Sequence, residues 1–102
     1  MNRNARTTDP ATSHQHQPTH SSRLLAVYAD IPEGLTAEQA AAAADLLHTG
    51  YWKRVSDLTR DGFIAPMFRD GHQITARASS GLMQRVLAIT PAGRERHADH
   101  QS

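Results

Sequence analysis

With 102 residues, a net charge of +1, 38% hydrophobic residues and no cysteine, the chain has room for one small domain, and disulfides and thiolate metal sites are excluded. Apart from Met1, every Leu, Ile, Val, Met, Phe, Trp and Tyr lies between Leu24 and Ile89. No apolar run approaches the roughly 20 residues of a membrane span, and the polar start Met1–Arg6 implies no secretory signal, so a cytoplasmic location is expected.

Residues 1–21 are Asn, Arg, Thr, Ser, His, Gln and Pro for the most part. Such a stretch buries too little apolar surface to offset chain entropy, so a disordered polar arm is expected over 1–21. His14, His16 and His20 in a loose arm would form only a weak, unselective metal site, and no metal or other cofactor is assigned.

Apolar residues at Leu24, Val27, Tyr28 and Ile31 share one helical face, with Ser21 and Ser22 placed to cap its start. Pro32 and Gly34 end it. Thr36-Ala37-Glu38-Gln39 has the form of a capping box, opening a second, alanine-rich helix through Ala40–Ala44. A third helix is expected from about His48 to Asp61. Leu47, Tyr51, Val55 and Leu58 then form one buried stripe, and Gly62 supplies a left-handed C-terminal cap.

After Gly62 the texture changes. Phe63–Phe68 reads as a short strand whose Pro66 demands an edge position or a bulge. Asp70-Gly71 signals a turn, residues 69–82 read as a basic loop, and Met83–Ile89 as a second strand. Thr90–Gly93 closes the domain as a turn or a single helical turn, Pro91 being suited to a first helical position. Residues 97–102 are expected to be a disordered tail.

Charge divides along this order. Residues 24–52 hold Asp30, Glu33, Glu38 and Asp45 and no Lys or Arg, a balance of −4. Residues 53–96 hold Lys53 and seven arginines against Asp57, Asp61, Asp70 and Glu95, a balance of +4. An acidic side and a basic side follow.

The order helix, capped helix, turn, helix, Gly, strand, basic loop, strand resembles a winged helix-turn-helix domain. The resemblance runs over residues 22–96. It rests on Leu35–Ile64 (LTAEQAAAAADLLHTGYWKRVSDLTRDGFI) and on Val86–Gly93 (VLAITPAG). The Gly50–Leu58 run and Arg77-Ala78-Ser79-Ser80-Gly81 most resemble small bacteriophage-encoded winged-helix proteins of GC-rich hosts. The chain is less similar to MarR-type regulators, which carry long terminal dimerisation helices. The resemblance implies an α+β fold of three helices plus a two-stranded β-wing. It also implies binding of double-stranded DNA, as a transcriptional regulator or a phage DNA-metabolism accessory factor.

On that reading, the recognition helix presents His48, Thr49, Gly50, Trp52, Lys53, Arg54 and Ser56 to the major groove. Trp52 can equally cover the edge of the core. The wing offers Arg69, His72, Gln73, Arg77, Ser79, Ser80, Gly81 and Arg85, the Ser-Ser-Gly turn aiming N–H groups and hydroxyls at a phosphate. The acids of residues 24–49 belong away from the DNA. Leu24, Leu25 and Tyr28 are the candidate homodimer contact. The alternative is a winged-helix module that binds a host or phage protein without touching DNA. No enzyme is expected: His48 and His72 lack a helical metal-ligand partner, and Ser79-Ser80-Gly81 lacks the nucleophile-elbow context.

Overall fold

A computed structural model describes residues 19–101 of the chain. The first helix, α1, spans His20–Asp30, followed by α2 (Ala37–Ala43) and α3 (Tyr51–Arg60). Six short strands come next: β1 (Ile64–Pro66), β2 (Phe68–Arg69), β3 (His72–Gln73), β4 (Thr75–Arg77), β5 (Met83–Arg85) and β6 (Leu87–Ile89). A further helix, α4, spans Pro91–Gln101. The expected α+β class holds, with one helix more than expected.

The expected caps are displaced at α1. Thr19, not Ser21 or Ser22, is the N-cap, and its hydroxyl accepts from the Ser22 N–H at 3.1 Å. At α2 the capping box forms as read. Thr36 Oγ accepts from the Gln39 N–H at 3.1 Å, and Gln39 Oε1 accepts from the Thr36 N–H at 3.0 Å.

Both α2 and α3 end in the same way. At the end of α2, Leu46 donates its N–H to Ala41 at 2.8 Å and Asp45 to Ala42 at 3.2 Å, with Asp45 at φ 60°. At the end of α3, Phe63 donates to Leu58 at 2.9 Å and Gly62 to Thr59 at 3.1 Å, with Gly62 at φ 82°. These are Schellman caps, one closed by the expected glycine and one by an aspartate. The Asp45 cap folds Leu46 back onto buried Ala41, so Leu46 is the core residue and Leu47 is 48% exposed. The stripe expected at Leu47 therefore begins one residue earlier and outside the helix. Tyr51 is half-buried, and Val55 and Leu58 are buried.

The core joins Leu24, Leu25 and Tyr28 of α1 to Ala40, Ala41, Ala44, Leu46, Val55, Leu58, Ile64 and Leu87. Leu24, Leu25 and Tyr28 are fully buried within the single chain. They are thus not a surface, and the candidate dimer contact assigned to them is corrected. Burial raises the Tyr28 phenol far above its ordinary value. Its hydroxyl donates to the Leu35 carbonyl at 3.3 Å.

The sheet at the base of the wing is antiparallel, with Ile64 opposite Ile89 and Pro66 opposite Leu87. Leu35 closes its other side, exchanging two N–H···O bonds of 2.8 Å with Leu87. Because both backbone groups of Leu87 face Leu35, Pro66 sits opposite a residue that asks nothing of it. The proline is at the sheet edge, as its missing N–H requires.

Beyond this ladder the wing branches. Met67 donates to Val86, Val86 to Ile74 and Ile74 to Met67, each at 2.9 Å. This closed ring of three bonds separates a short hairpin, β2–β3, from a longer arm, β4–β5. The segment expected as one basic loop is therefore two hairpins. The short one turns through Asp70 (φ 53°) and Gly71 (φ 80°), the type I′ signature of an Asp-Gly pair.

Thr90 caps α4, accepting from the Gly93 N–H at 3.0 Å while donating its hydroxyl to the Gly62 carbonyl at 2.5 Å. Pro91 is the first residue of α4, which runs on through residues 97–101, expected as a tail without structure. The helix persists where apolar residues run out because α4 packs against α1 and β6.

Candidate nucleic-acid interface

Helix α3 shows its core side through Tyr51, Val55 and Leu58 and turns Lys53 and Ser56 to the opposite side, where both are exposed. Trp52 lies on the flank between these sides and is 65% exposed, so it does not seal the core. Arg54 is also exposed. His48, Thr49 and Gly50 stand before the helix, not in its first turn as expected, because α3 starts at Tyr51 with Gly50 as its N-cap. His48 and Gly50 are exposed. The Thr49 hydroxyl donates to the Leu46 carbonyl at 2.7 Å, which leaves it an acceptor only.

Two further residues on the outward side of α3 escaped the sequence reading. Asp57 and Arg60 pair at 3.3 Å, and Arg60 also meets Asp61 at 3.4 Å. Their i,i+3 spacing was legible, but it became relevant only once the helix phase was set. Beside them lies a cleft of about 320 Å³ bordered by Thr19, Leu25, Asp61, Phe63 and Arg96. The Arg96 guanidinium lies 5.8 Å from the Phe63 ring centroid.

The short hairpin sets Arg69 opposite His72 and Phe68 opposite Gln73, all exposed. On the long arm, Thr75 pairs with Arg85 and Arg77 with Met83. Strand alternation puts these four side chains on one outward face, while Ala76 and Gln84 occupy the half-buried face. Among the described residues, Lys53, Arg54, Arg69, Arg77 and Arg85 make no ion pair, whereas Arg60 does.

The Ser79–Gly81 turn differs most from expectation. Its donors do not point to open solvent. Ser79 gives its N–H to Glu38 Oε1 at 2.8 Å and its hydroxyl to Glu38 Oε2 at 2.5 Å. Glu38 is one of the acids expected to lie mainly away from the DNA. It lies in the first turn of α2, and its own N–H donates to Gln84 Oε1 at 3.4 Å. The hydrogen bonds from Ser79 hold the Glu38 carboxyl below its ordinary value. Ser80 Oγ accepts from the Leu82 N–H at 3.4 Å, and the Gly81 carbonyl accepts from the Arg77 guanidinium at 3.0 Å. Sequence spacing carried no signal of a contact between residues 41 positions apart.

Arg23 lies on α1, and its guanidinium donates to the Ala44 carbonyl at the end of α2. Of the histidine tract, His14 and His16 lie outside the described residues, as does most of the expected arm. Among the described residues no three His, Asp or Glu side chains gather as a metal site, and no helix is long and apolar enough to cross a membrane.

No protein-family model matches the chain, and no curated protein does. Among solved structures it is similar to the crystal structure of MepR, a transcription regulator of the Staphylococcus aureus multidrug efflux pump MepA, with a TM-score of 0.56 at 16% identity. The match covers 89% of this chain and 61% of that one, so the chain spans about three fifths of the length of the protein it resembles. At that identity the likeness is one of fold, and the fold is a winged helix.

Proposed function

We propose that the protein binds double-stranded DNA, with α3 in the major groove and the branched wing against the flanking backbone. One observation carries this reading: Lys53 and Arg54 on α3, Arg69 on the short hairpin, and Arg77 and Arg85 on the long arm are exposed and, among the described residues, make no ion pair. A helix of this diameter fits the major groove, and Lys53, Ser56 and His48 carry the donors that base edges and phosphates accept. Arg69 on one hairpin and Arg77 and Arg85 on the other supply backbone neutralisation at separate points. The role is that of a transcriptional regulator. An accessory role in phage DNA metabolism is the narrower form implied by the resemblance in the Gly50–Leu58 run.

Binding to a random duplex at low salt, followed by fluorescence anisotropy, tests this. Lys53→Glu and Arg77→Glu should each weaken binding steeply, and wild-type affinity should fall as salt rises. Unchanged binding in both variants would reject this surface.

The exposed side chains Phe68 (64%), Leu82 (71%) and Met83 (56%) favour a second reading, a protein-docking wing. Failure to bind any duplex at low salt, together with capture of one defined protein that Leu82→Ser abolishes, would put that reading first. The homodimer that a small DNA reader would profit from needs a surface other than Leu24, Leu25 and Tyr28.

A further inference from the structure

The Ser79–Gly81 turn carries groups that hold an oxyanion, and in the free protein an anion already occupies them. The Ser79 N–H and hydroxyl each donate to a different oxygen of the Glu38 carboxylate, at 2.8 and 2.5 Å. The Arg77 guanidinium, donating to the Gly81 carbonyl at 3.0 Å, sets a positive charge on the same turn. A carboxylate and a phosphodiester ask for the same partners: an aligned N–H, a hydroxyl and nearby positive charge. The site is on the surface, with Ser79 exposed.

We propose that Glu38 is an internal stand-in for a DNA phosphate: it fills the Ser79 anion site in the free protein, and a backbone phosphate of duplex DNA displaces it on binding. This rests on the DNA-binding reading above. The site itself outlasts the exchange, because the arm is tied by other contacts. Ala78 is buried, its N–H donates to the Leu82 carbonyl at 2.7 Å, and Gly81 donates to Ala78 at 2.9 Å. Gln84 holds the Glu38 backbone, not its carboxylate, at 3.4 Å. The released carboxylate moves into water, where a surface charge is well hydrated. The free protein thus holds back part of its affinity for phosphate, and a duplex, which brings many phosphates at once, overcomes that competition more readily than a single phosphate does.

Glu38→Ala, Glu38→Gln and the wild type are titrated with inorganic phosphate while the Ser79 and Gly81 amide resonances are followed. The same proteins are titrated with a short duplex in a salt series. In Glu38→Ala, phosphate should shift the Ser79 amide saturably at about ten-fold lower concentration than in the wild type, one charged competitor being gone. Duplex affinity at low salt should rise by about ten-fold. Glu38→Gln, which keeps the side-chain shape, should fall between. Adding Ser79→Ala to Glu38→Ala should remove the gain. Duplex binding no tighter in both Glu38 variants, or a gain with no phosphate response at Ser79, would overturn the proposal. Saturable phosphate binding at Ser79 with no duplex binding by any protein would overturn the DNA assignment at the level of the DNA-binding reading, leaving an anion site of another kind.

Discussion

Gly93 rests directly on the backbone carbonyl of Phe63: a Cβ built on Gly93 would overlap that oxygen and reach Ile89 Cγ1 at 2.8 Å. The contact seats α4 on the turn that follows α3. A polar helix with little apolar surface of its own stays in place because its backbone can approach this closely.

Gly93→Ala therefore forces α4 away from Phe63. Overpacking against backbone costs about 1–3 kcal/mol. Chemical denaturation should register that loss. The Arg94 amide, which donates to Thr90 at 2.9 Å, should lose hydrogen-exchange protection before the core does.

Arg23 gives a second test, because structure and charge predict different outcomes. Its guanidinium satisfies the Ala44 carbonyl at the end of α2. Arg23→Met keeps the aliphatic stem and removes the donor, and it should destabilise the fold by about 1–2 kcal/mol. Duplex affinity measured well below the melting temperature should change little. A large affinity loss with an unchanged melting curve would place Arg23 on the DNA surface instead.

Leu46 and Leu47 are adjacent and chemically identical, and only one of them is in the core. Leu46→Ala should cost about 2–5 kcal/mol, the range for a buried leucine. Leu47→Ala should stay within about 0.5 kcal/mol, as for a surface change. Equal costs would mean that the Asp45 cap does not form.

The tie between Glu38 and Ser79 has a pH dependence of defined sign. The folded-state carboxyl is held below its ordinary value by the Ser79 hydrogen bonds. The tie is therefore complete above the unfolded carboxylate value and is lost as pH falls through the lower folded one. The Ser79 amide resonance should follow that titration at a pH below the ordinary glutamate range. In Glu38→Gln the acid-side step should vanish.

Much of the fold was legible because its signals are local. The Thr36–Gln39 box, the Gly62 cap, the Asp70-Gly71 turn and the edge position of Pro66 each depend on a few neighbouring residues whose backbone preferences are strong. The α2 cap was not legible. An αL position usually advertises itself by glycine, and here it is occupied by Asp45 at φ 60°. That one departure shifted the expected start of α3 and exchanged Leu46 for Leu47 in the expected core.

The sequence by itself determined the extent of the apolar unit, the order of capped helices followed by short strands, and the separation of an acidic half from a basic half, each from periodicity, capping chemistry or a count of charges along the chain. The winged-helix class was implied by the resemblance over residues 22–96. Only the tertiary structure decided that the basic segment is two hairpins joined by a ring of three hydrogen bonds at Met67, Ile74 and Val86. It alone buried Leu24, Leu25 and Tyr28 within one chain, and it alone brought Glu38 of the acidic half onto Ser79 of the basic half. Pairings between distant residues depend on how strands register and where an arm is free to fold, and nothing in the spacing of single residues encodes them.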